Sequence, residues 1–292
     1  MSTLVQLTVT GLAFGCIYAL VALGFVLIYN AVGVVNFAQG EFVVIPAFVA
    51  VTFLTYLHLP WYFAYAATLA VMIGFGLAFE LIAYYPLRNR TFLPVVISTI
   101  GASILLQNGA QLIWGAQPLP FPSLFPNDQT IAFSGVHIVP QHILILGVTA
   151  LLLVAQYLLF EKTMLGKKLQ AVAQDKDTAR LLGVRSGTMI AITFAYSAML
   201  GAAAAVMVAP LFTVTTGFGG SLALKAFSAS IVGGFGSVPG AIVGGIILGL
   251  VEIFAAAFLS PDYRDAYAFI VMIGVLLLRP QGIFGEKVVE RA

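Results

Sequence analysis

Long runs without any charged side chain constrain this sequence more than any other feature. The first charged residue is Glu41, and further charge-free runs cover residues 42–79, 91–127, 129–160 and 186–224. Each run is longer than the ~20 apolar residues that a helix needs to cross a bilayer core. Only 8% of the residues are charged and 61% are hydrophobic, which is unlike a soluble domain. The sequence therefore predicts an all-α, polytopic integral membrane protein.

Glycine, proline and charge divide these runs into about nine transmembrane segments, within a range of eight to ten. The predicted spans cover residues 6–29, 41–57, 62–85, 92–114, 141–160, 189–211, 222–235, 240–259 and 266–278. The seventh and ninth are short for a full crossing, so the pattern allows one of them to be broken or re-entrant. The first span lacks the basic flank of a signal peptide and is interpreted as retained. No linker divides the chain, which predicts a single transmembrane domain over residues 1–292.

Basic residues predict the orientation of these spans. Lys and Arg concentrate after the third span, between the fifth and sixth, and after the ninth, namely at Arg88, Arg90, Lys162, Lys167, Lys168, Lys176, Arg180, Arg185, Arg279, Lys287 and Arg291. Segment 115–140 contains neither Lys nor Arg. The positive-inside rule then places the three basic segments in the cytoplasm, and segment 115–140 with Asp128 outside. The N-terminus is outside by the same count.

Several classes of function are excluded by composition. A formal net charge of +2 is too small for nucleic-acid binding. Cys16 is the single cysteine, so neither a disulfide framework nor a thiolate zinc site can form within the chain. No His, Asp and Glu cluster indicates a metal site or a membrane enzyme. We expect no catalytic residues, no metal and no cofactor.

Segment 161–185 is the most polar part of the chain. It holds nine of the 24 charged residues. Leu165, Leu169, Val172 and Ala173 within it follow the spacing of one helical face. Asp175 is positioned to cap a second short helix that ends at Gly183. The narrow apolar face fits either a groove in a protein or a solvated connector on the membrane surface, and spacing alone does not choose between them.

The same segment carries a family resemblance. Residues 163–184, from Thr163-Met-Leu-Gly to Leu-Leu-Gly183-Val, resemble the cytoplasmic coupling loop of ABC importer permeases, and more narrowly that of LivH-type branched-chain amino acid permeases. Similar patterns occur at residues 15–24, 36–41, 100–108, 225–227, 232–252 and 279–285. The resemblance covers nearly the whole chain in order. Gln39 stands where the family often has His.

The resemblance implies that this chain works in a complex in which different subunits deliver the substrate, form the membrane path and bind ATP. It implies a permease that imports branched-chain or similar apolar amino acids across the bacterial inner membrane. Its partners would be a second related, LivM-like permease, two ATPase subunits, a periplasmic substrate-binding protein and membrane lipid, with no nucleic acid. ATP would be bound by the partners, because this chain lacks the Gly-x-x-x-x-Gly-Lys-Ser/Thr phosphate loop. The implied coupling loop, about 161–187, has these candidate contact residues: Gly166, Ala171, Ala173, Asp175, Ala179 and Gly183. Ala179 is expected to press into a groove on an ATPase subunit.

Other substrates and another class of protein stay open. Close relatives in the same importer class handle urea, short amides or aromatic acids. A stand-alone ion-coupled carrier or channel would need an intramembrane relay of acidic or His residues, for which Glu252 is the one reasonable candidate.

Polar residues inside the spans are candidates for the translocation path, namely Asn36, Gln39, Glu41, Gln107, Asn108, Lys225 and Glu252. Each also has a structural interpretation. Asn36 is placed to cap the second span, and Lys225 could snorkel outward. Gln107 and Asn108 could bond between spans. A carboxylate at the centre of a span costs about 2.5–3.5 kcal/mol on insertion scales, so Glu252 is expected to face the bundle, either in a structural hydrogen bond or in the path.

Small residues and a possible repeat complete the pattern. Glycines recur at helical spacing and predict close helix packing, namely Gly236, Gly240, Gly244, Gly245 and Gly249. The second to fourth and seventh to ninth spans run in opposite directions on this count, which allows an inverted repeat of the kind found in transporters.

Overall fold

The structure, a computed structural model, describes residues 2–125, 130–133 and 136–285. Its eleven α-helices within these ranges are α1 Ser2–Val32, α2 Glu41–Val51, α3 Trp61–Phe79, α4 Phe92–Trp114, α5 Pro140–Lys162, α6 Met164–Gln174, α7 Lys176–Leu181, α8 Ser186–Val208, α9 Phe218–Gly233, α10 Val238–Phe258 and α11 Arg264–Leu278. A 3-10 turn, Phe37–Gly40, leads into α2, and π-helical turns Thr52–Tyr56 and Glu80–Tyr84 extend α2 and α3. The all-α, polytopic prediction is confirmed.

Four short strands lie at the loops. They are β1 Leu119–Pro120, β2 Ile131–Phe133, β3 Val136–Ile138 and β4 Thr213–Val214. β1 pairs antiparallel with β4, and β2 with β3. The β1–β4 pair ties the loop after α4 to the segment that leads into α9.

The count of nine spans is not confirmed. Within the described residues, seven helices are long and apolar enough to cross a membrane, and α9 is apolar but has only 16 residues. The last helix, α11, has 15 residues. At 1.5 Å per residue such helices reach about 22–24 Å, less than the ~30 Å hydrocarbon core. The seventh and ninth predicted spans, which are short in the sequence, therefore correspond to the short helices α9 and α11.

Helix α1 forms the centre of the bundle. It is apolar on all sides, and its central residues, including Ile17, Leu20 and Leu23, are completely buried. A helix that is hydrophobic all round is typical of a buried position. It packs against α5, α8, α9 and α10, whereas α4 and α5 expose most of their surface. The outer helices therefore carry the surface that meets lipid or a partner subunit.

Two segments interrupt the regular helices. After α1 ends at Val32, residues 33–36 are non-helical before the chain turns into α2. Residues 212–217, which include β4, lead in the same way from α8 into α9. These two interruptions set the residues at which the chain enters α2 and α9.

Candidate functional site

The first turns of α2 and α9 meet in the middle of the bundle. A Cβ atom at Gly40 would lie 3.2 Å from the carbonyl oxygen of Gly219, and a Cβ atom at Gly219 would overlap the carbonyl oxygen of Gly40. The neighbouring Gln39 packs against Gly24 of α1 and Ser197 of α8, which are both central residues of long helices. The contact brings two positive helix ends together.

Polar side chains surround this contact. The side chain of Asn36 accepts a hydrogen bond from the amide of Ala38 at 3.1 Å, so the predicted N-cap is confirmed. Gln39 Nε2 donates to Ser197 Oγ at 3.1 Å. Together these bonds fix the entry of the chain into α2.

Glu41 is the one acidic side chain at the contact among the described residues. It lies in the first turn of α2, it is 4% exposed, and its Oε1 accepts a hydrogen bond from Ser103 Oγ of α4 at 3.1 Å. Its Oε2 has no hydrogen-bond partner among the described residues. A negative charge is favourable at a helix N-terminus. The negative charge of Glu41 therefore compensates the positive ends of α2 and α9. Its Oε2 remains available to a further hydrogen-bond donor.

Helix α4 carries a row of amides along a poorly covered face. Gln107 and Gln111 both bond to Thr216, on the segment before α9: Gln107 Nε2 donates to the carbonyl oxygen at 3.4 Å and Gln111 Nε2 to Oγ1 at 3.1 Å. Asn108 is exposed and bonds only to the Ile104 carbonyl of its own helix, so for Asn108 the interspan interpretation is wrong. Polar groups inside a span are costly against lipid. This face of α4 thus belongs against protein or water.

A buried ionic network lies apart from Glu41. Glu252 of α10 is completely buried and accepts from Tyr18 Oη at 2.6 Å, Lys225 Nζ at 2.9 Å and Arg264 Nε at 2.6 Å. Lys225 also pairs with Asp265 at 2.6 Å. The two cations and two carboxylates balance, and the network joins α1, α9, α10 and α11.

The ionic network shows that the interpretation of Lys225 from the sequence is wrong, and it contains three residues that the sequence did not predict. Lys225 is 8% exposed, so the expectation that it snorkels outward is wrong: two carboxylates within reach hold its ammonium group inside. Tyr18, Arg264 and Asp265 were not predicted. The sequence signal that could have found them is Glu252 itself, because a buried charge requires partners, and Arg264–Asp265 begin the next helix.

The polar segment 161–185 contains two capped helices, α6 and α7. Thr163 Oγ1 accepts from the amide of Gly166 at 3.1 Å and caps α6, a cap that the sequence analysis missed. Asp175 accepts from the amides of Asp177 and Thr178 at 2.8 and 3.1 Å, so its predicted role as the cap of α7 is confirmed. The hydroxyl of Thr178, together with these amides, holds the pKa of Asp175 below its usual range.

The apolar face of this segment packs on the chain's own bundle. Leu169, Val172 and Ala179 are all buried against it. Ala179 is 2% exposed, so it does not face a partner, and the expectation that it presses into an ATPase groove is wrong. Leu181 and Leu182 follow it and are 88% and 76% exposed. Leu181 and Leu182 therefore form an exposed apolar pair at the end of α7.

The remaining residues of the predicted coupling loop have different environments. Gly166 lies against the backbone of Leu159 and Phe160, where a Cβ atom would clash. Ala171 is half-buried and Ala173 is exposed. Gly183 ends α7 with a φ of +80°, a conformation that favours glycine.

Lys176 is fixed to the end of the central helix. Its Nζ donates to the carbonyl oxygen of Val32 at 3.3 Å, which links α7 to α1. Burial, and secondarily the positive charge of Arg180, lower the pKa of its ammonium group. This bond lies next to the segment that leads into α2.

The glycine series of α10 lies at helix contacts. Cβ atoms at Gly240 and Gly244 would overlap the backbone of Gly233 and Ala229 in α9, and Cβ atoms at Gly245 and Gly249 would overlap α1. Gly236 is not in a helix but in the turn before α10, with a φ of +98°. Four of the five glycines thus allow α10 to approach its neighbours closely.

Broken helices that meet inside a seven-span bundle, with a polar segment tied to the central helix, define a polytopic permease-like membrane protein. In the part of the chain that the structure describes, no three His, Cys, Asp or Glu side chains are grouped as a metal site requires. Over residues 7–276 the chain matches the family described as branched-chain amino acid transport system / permease component. It belongs to that family.

Individual relatives extend over almost the whole chain. It is 38% identical over 298 residues to the high-affinity branched-chain amino acid transport system permease protein BraD of Pseudomonas aeruginosa, covering 98% of this chain and 97% of the relative. It is 34% identical over 293 residues to the high-affinity branched-chain amino acid transport system permease protein LivH of Escherichia coli, covering 96% of this chain and 95% of the relative. A solved structure, PsaBC from Streptococcus pneumoniae in complex with Fab, aligns with a TM-score of 0.50 over 97% of this chain and 94% of that chain. At 13% identity that likeness concerns the fold alone.

Proposed function

We propose that this chain is the transmembrane permease subunit of an ATP-driven ABC importer that moves branched-chain or similar apolar amino acids into the cytoplasm from a periplasmic binding protein. The observation that carries the proposal is similarity over nearly the full length to permeases named for high-affinity branched-chain amino acid transport. The chain itself is not an enzyme and holds no cofactor. ATP is bound by partner subunits.

The path that we propose follows the contact between α2 and α9. Gln39 and Glu41 lie there with Asn36, and the amides Gln107 and Asn108 follow on α4. The free Oε2 of Glu41 provides an acceptor for a substrate ammonium group, and the helix ends favour a carboxylate. An amino acid zwitterion carries both charges.

Lys225 and Glu252 receive a structural role in this proposal. Their charges are neutralised within the network, so neither is free to bind substrate strongly. The network holds the broken helix α9 to α10 and α11. It thereby keeps α9 aligned with α2 during transport.

Partner subunits occupy three surfaces in the proposal. A second, LivM-like permease covers the amide face of α4, where Asn108 is exposed. Two ATPase subunits serve the complex, and one docks here on Leu181–Leu182. The binding protein delivers substrate on the opposite side of the bacterial inner membrane. The transmembrane domain spans residues 1–292, with a coupling loop at about 161–187.

Uptake by whole cells tests the substrate class. Cells that lack the gene for this chain are compared with complemented cells for uptake of labelled leucine, isoleucine and valine. Urea, acetamide and benzoate serve as the competing substrate classes. We expect the chain to restore uptake of the branched-chain amino acids alone. Restored uptake of urea, an amide or an aromatic acid instead would overturn the substrate assignment but would leave the assignment as an importer permease intact.

A further inference from the structure

A crevice opens between α5 and α10 near their cytoplasmic ends. Both helices pack on α1, but they leave a space of about 390 Å³ between them, within the range of small-molecule sites. Leu27 of α1, Leu153 of α5 and Ile242 of α10 contribute apolar walls. Leu169 of α6 closes the cytoplasmic end. The crevice is therefore an apolar slot whose base is the amphipathic cytoplasmic helix.

One polar group inside this slot has no partner. The side chain of Gln156 lines the crevice and is 4% exposed, and its Oε1 makes no hydrogen bond within the described part of the chain. Leaving a buried amide unpaired is costly. Because the two ends of a Gln amide are interchangeable by a flip, the group can either donate or accept. It is suited to an occupant that is mainly apolar and carries an ester or a hydroxyl.

The crevice continues into a second, more polar cavity. That cavity has a volume of about 710 Å³ and shares Asn30, Ala173, Val238 and Pro239 with the crevice. Ser237 and Gln281 are among its lining residues. The apolar slot, its unpaired amide and the adjoining, more polar cavity correspond in character to the tail, the ester region and the headgroup of a lipid.

The surroundings of the crevice identify bilayer lipid as the occupant. The neighbouring face of α5 exposes Leu151, Val154 and Leu158, as a lipid-facing helix does. Helix α4, which carries the exposed amide face, contributes no residue to the lining of the crevice. The crevice is thus continuous with the surface that contacts acyl chains.

We infer that the crevice between α5 and α10 binds one acyl chain of a cytoplasmic-leaflet phospholipid, with an ester group at Gln156 and the headgroup in the adjoining polar cavity. The bound lipid would contact α6 directly through Leu169 and Ala173. Neither the family assignment nor the proposed substrate requires such a site.

Photo-crosslinking with a defined lipid tests the site. The full chain is reconstituted in vesicles of phosphatidylethanolamine and phosphatidylglycerol that contain a trace of phosphatidylethanolamine with a diazirine in its acyl chain. Adducts are mapped by mass spectrometry. We expect them to concentrate on Leu153 and Ile242. An even distribution over the exposed face of α5 would overturn the inference.

Matched variants separate this site from general lipid contact. Leu153→Trp fills the crevice and should abolish its adducts, whereas Val154→Trp, one residue along and 56% exposed, should retain them. Gln156→Leu preserves volume, removes one hydrogen bond and should lower crevice labelling about threefold to tenfold at limiting lipid probe. It also provides the test if Leu153→Trp does not fold. Unchanged labelling in both crevice variants would contradict the site.

Discussion

Gly40 and Gly219 bring the first turns of α2 and α9 into backbone contact in the middle of the bundle. Neither residue has a Cβ atom, and a side chain at either position would separate the helices. Two positive helix ends meet there, with the carboxylate of Glu41 in the first turn of α2. The arrangement concentrates polar groups and helix-end charge on the path that we propose, and it gives a physical reason for a carboxylate inside the bundle.

The ionic network around Glu252 is expected to be a main determinant of stability. Glu252→Ala would leave the buried ammonium of Lys225 and the guanidinium of Arg264 without their shared partner, at a cost of about 3–5 kcal/mol. Thermal unfolding of the purified chain in detergent measures the effect. Asp262→Ala is the control, because Asp262 is exposed and forms no ion pair among the described residues. Equal melting of the two variants would show that the network is dispensable.

Close packing of α10 on α1 depends on glycine. A Cβ atom at Gly245 would lie 2.6 Å from the amide nitrogen of Ala19, so Gly245→Leu should destabilise the bundle by at least about 1–3 kcal/mol and lower the yield of monodisperse protein. Gly147→Leu on α5 is the matched control, because no atom lies within 4 Å of a Cβ there. Gly285, near the C-terminal end of the described residues, is not a suitable control, because a Cβ atom there would overlap Gln281 and its backbone lies close to Gly234. Similar yields for both variants would contradict the packing argument.

Docking of an ATPase should depend on Leu181 and not on Ala179. Burying a leucine contributes about 1.5–3 kcal/mol, so Leu181→Asp should weaken copurification of the ATPase about tenfold to a hundredfold while the bundle melts as before. Ala179→Glu should instead lower the melting temperature, because its side chain is buried in the chain itself. Normal copurification with Leu181→Asp would place the docking surface elsewhere.

The orientation of the chain is testable with single cysteines. In a Cys16→Ala background, a thiol reagent that cannot cross the membrane is expected to label Ser123→Cys from outside but not Asp177→Cys. Both native side chains are exposed, whereas Asp128, Lys287 and Arg291 lie outside the described residues. The reverse labelling pattern would invert the topology and remove the basis for a cytoplasmic α6–α7 segment.

Charge-free runs and helix caps were sufficient to predict much of the fold. The long helices, the two short ones and the caps at Asn36 and Asp175 all depend on local sequence, which is why they could be read from it. The number of full crossings could not be fixed, because length alone does not show that a 16-residue helix begins inside the bundle.

Contacts between distant elements could not be predicted in the same way. Periodicity identified an apolar face in segment 161–185, but it could not show that this face packs on the chain's own bundle and leaves Leu181 exposed. Likewise, the sequence marked Lys225 and Glu252 as separate candidates. Their pairing across α9 and α10, completed by Arg264, depends on three-dimensional distance.

Leucine accumulation in proteoliposomes tests the proposed ATP-driven import. The chain is reconstituted with its second permease and ATPase subunits, with ATP supplied on the side of the α6–α7 segment and the binding protein on the other. We expect uphill transport of leucine away from the binding protein that requires every component and stops when ATP is withheld. Accumulation by the chain alone, driven by a proton or sodium gradient without ATP, would contradict the importer and identify an ion-coupled carrier.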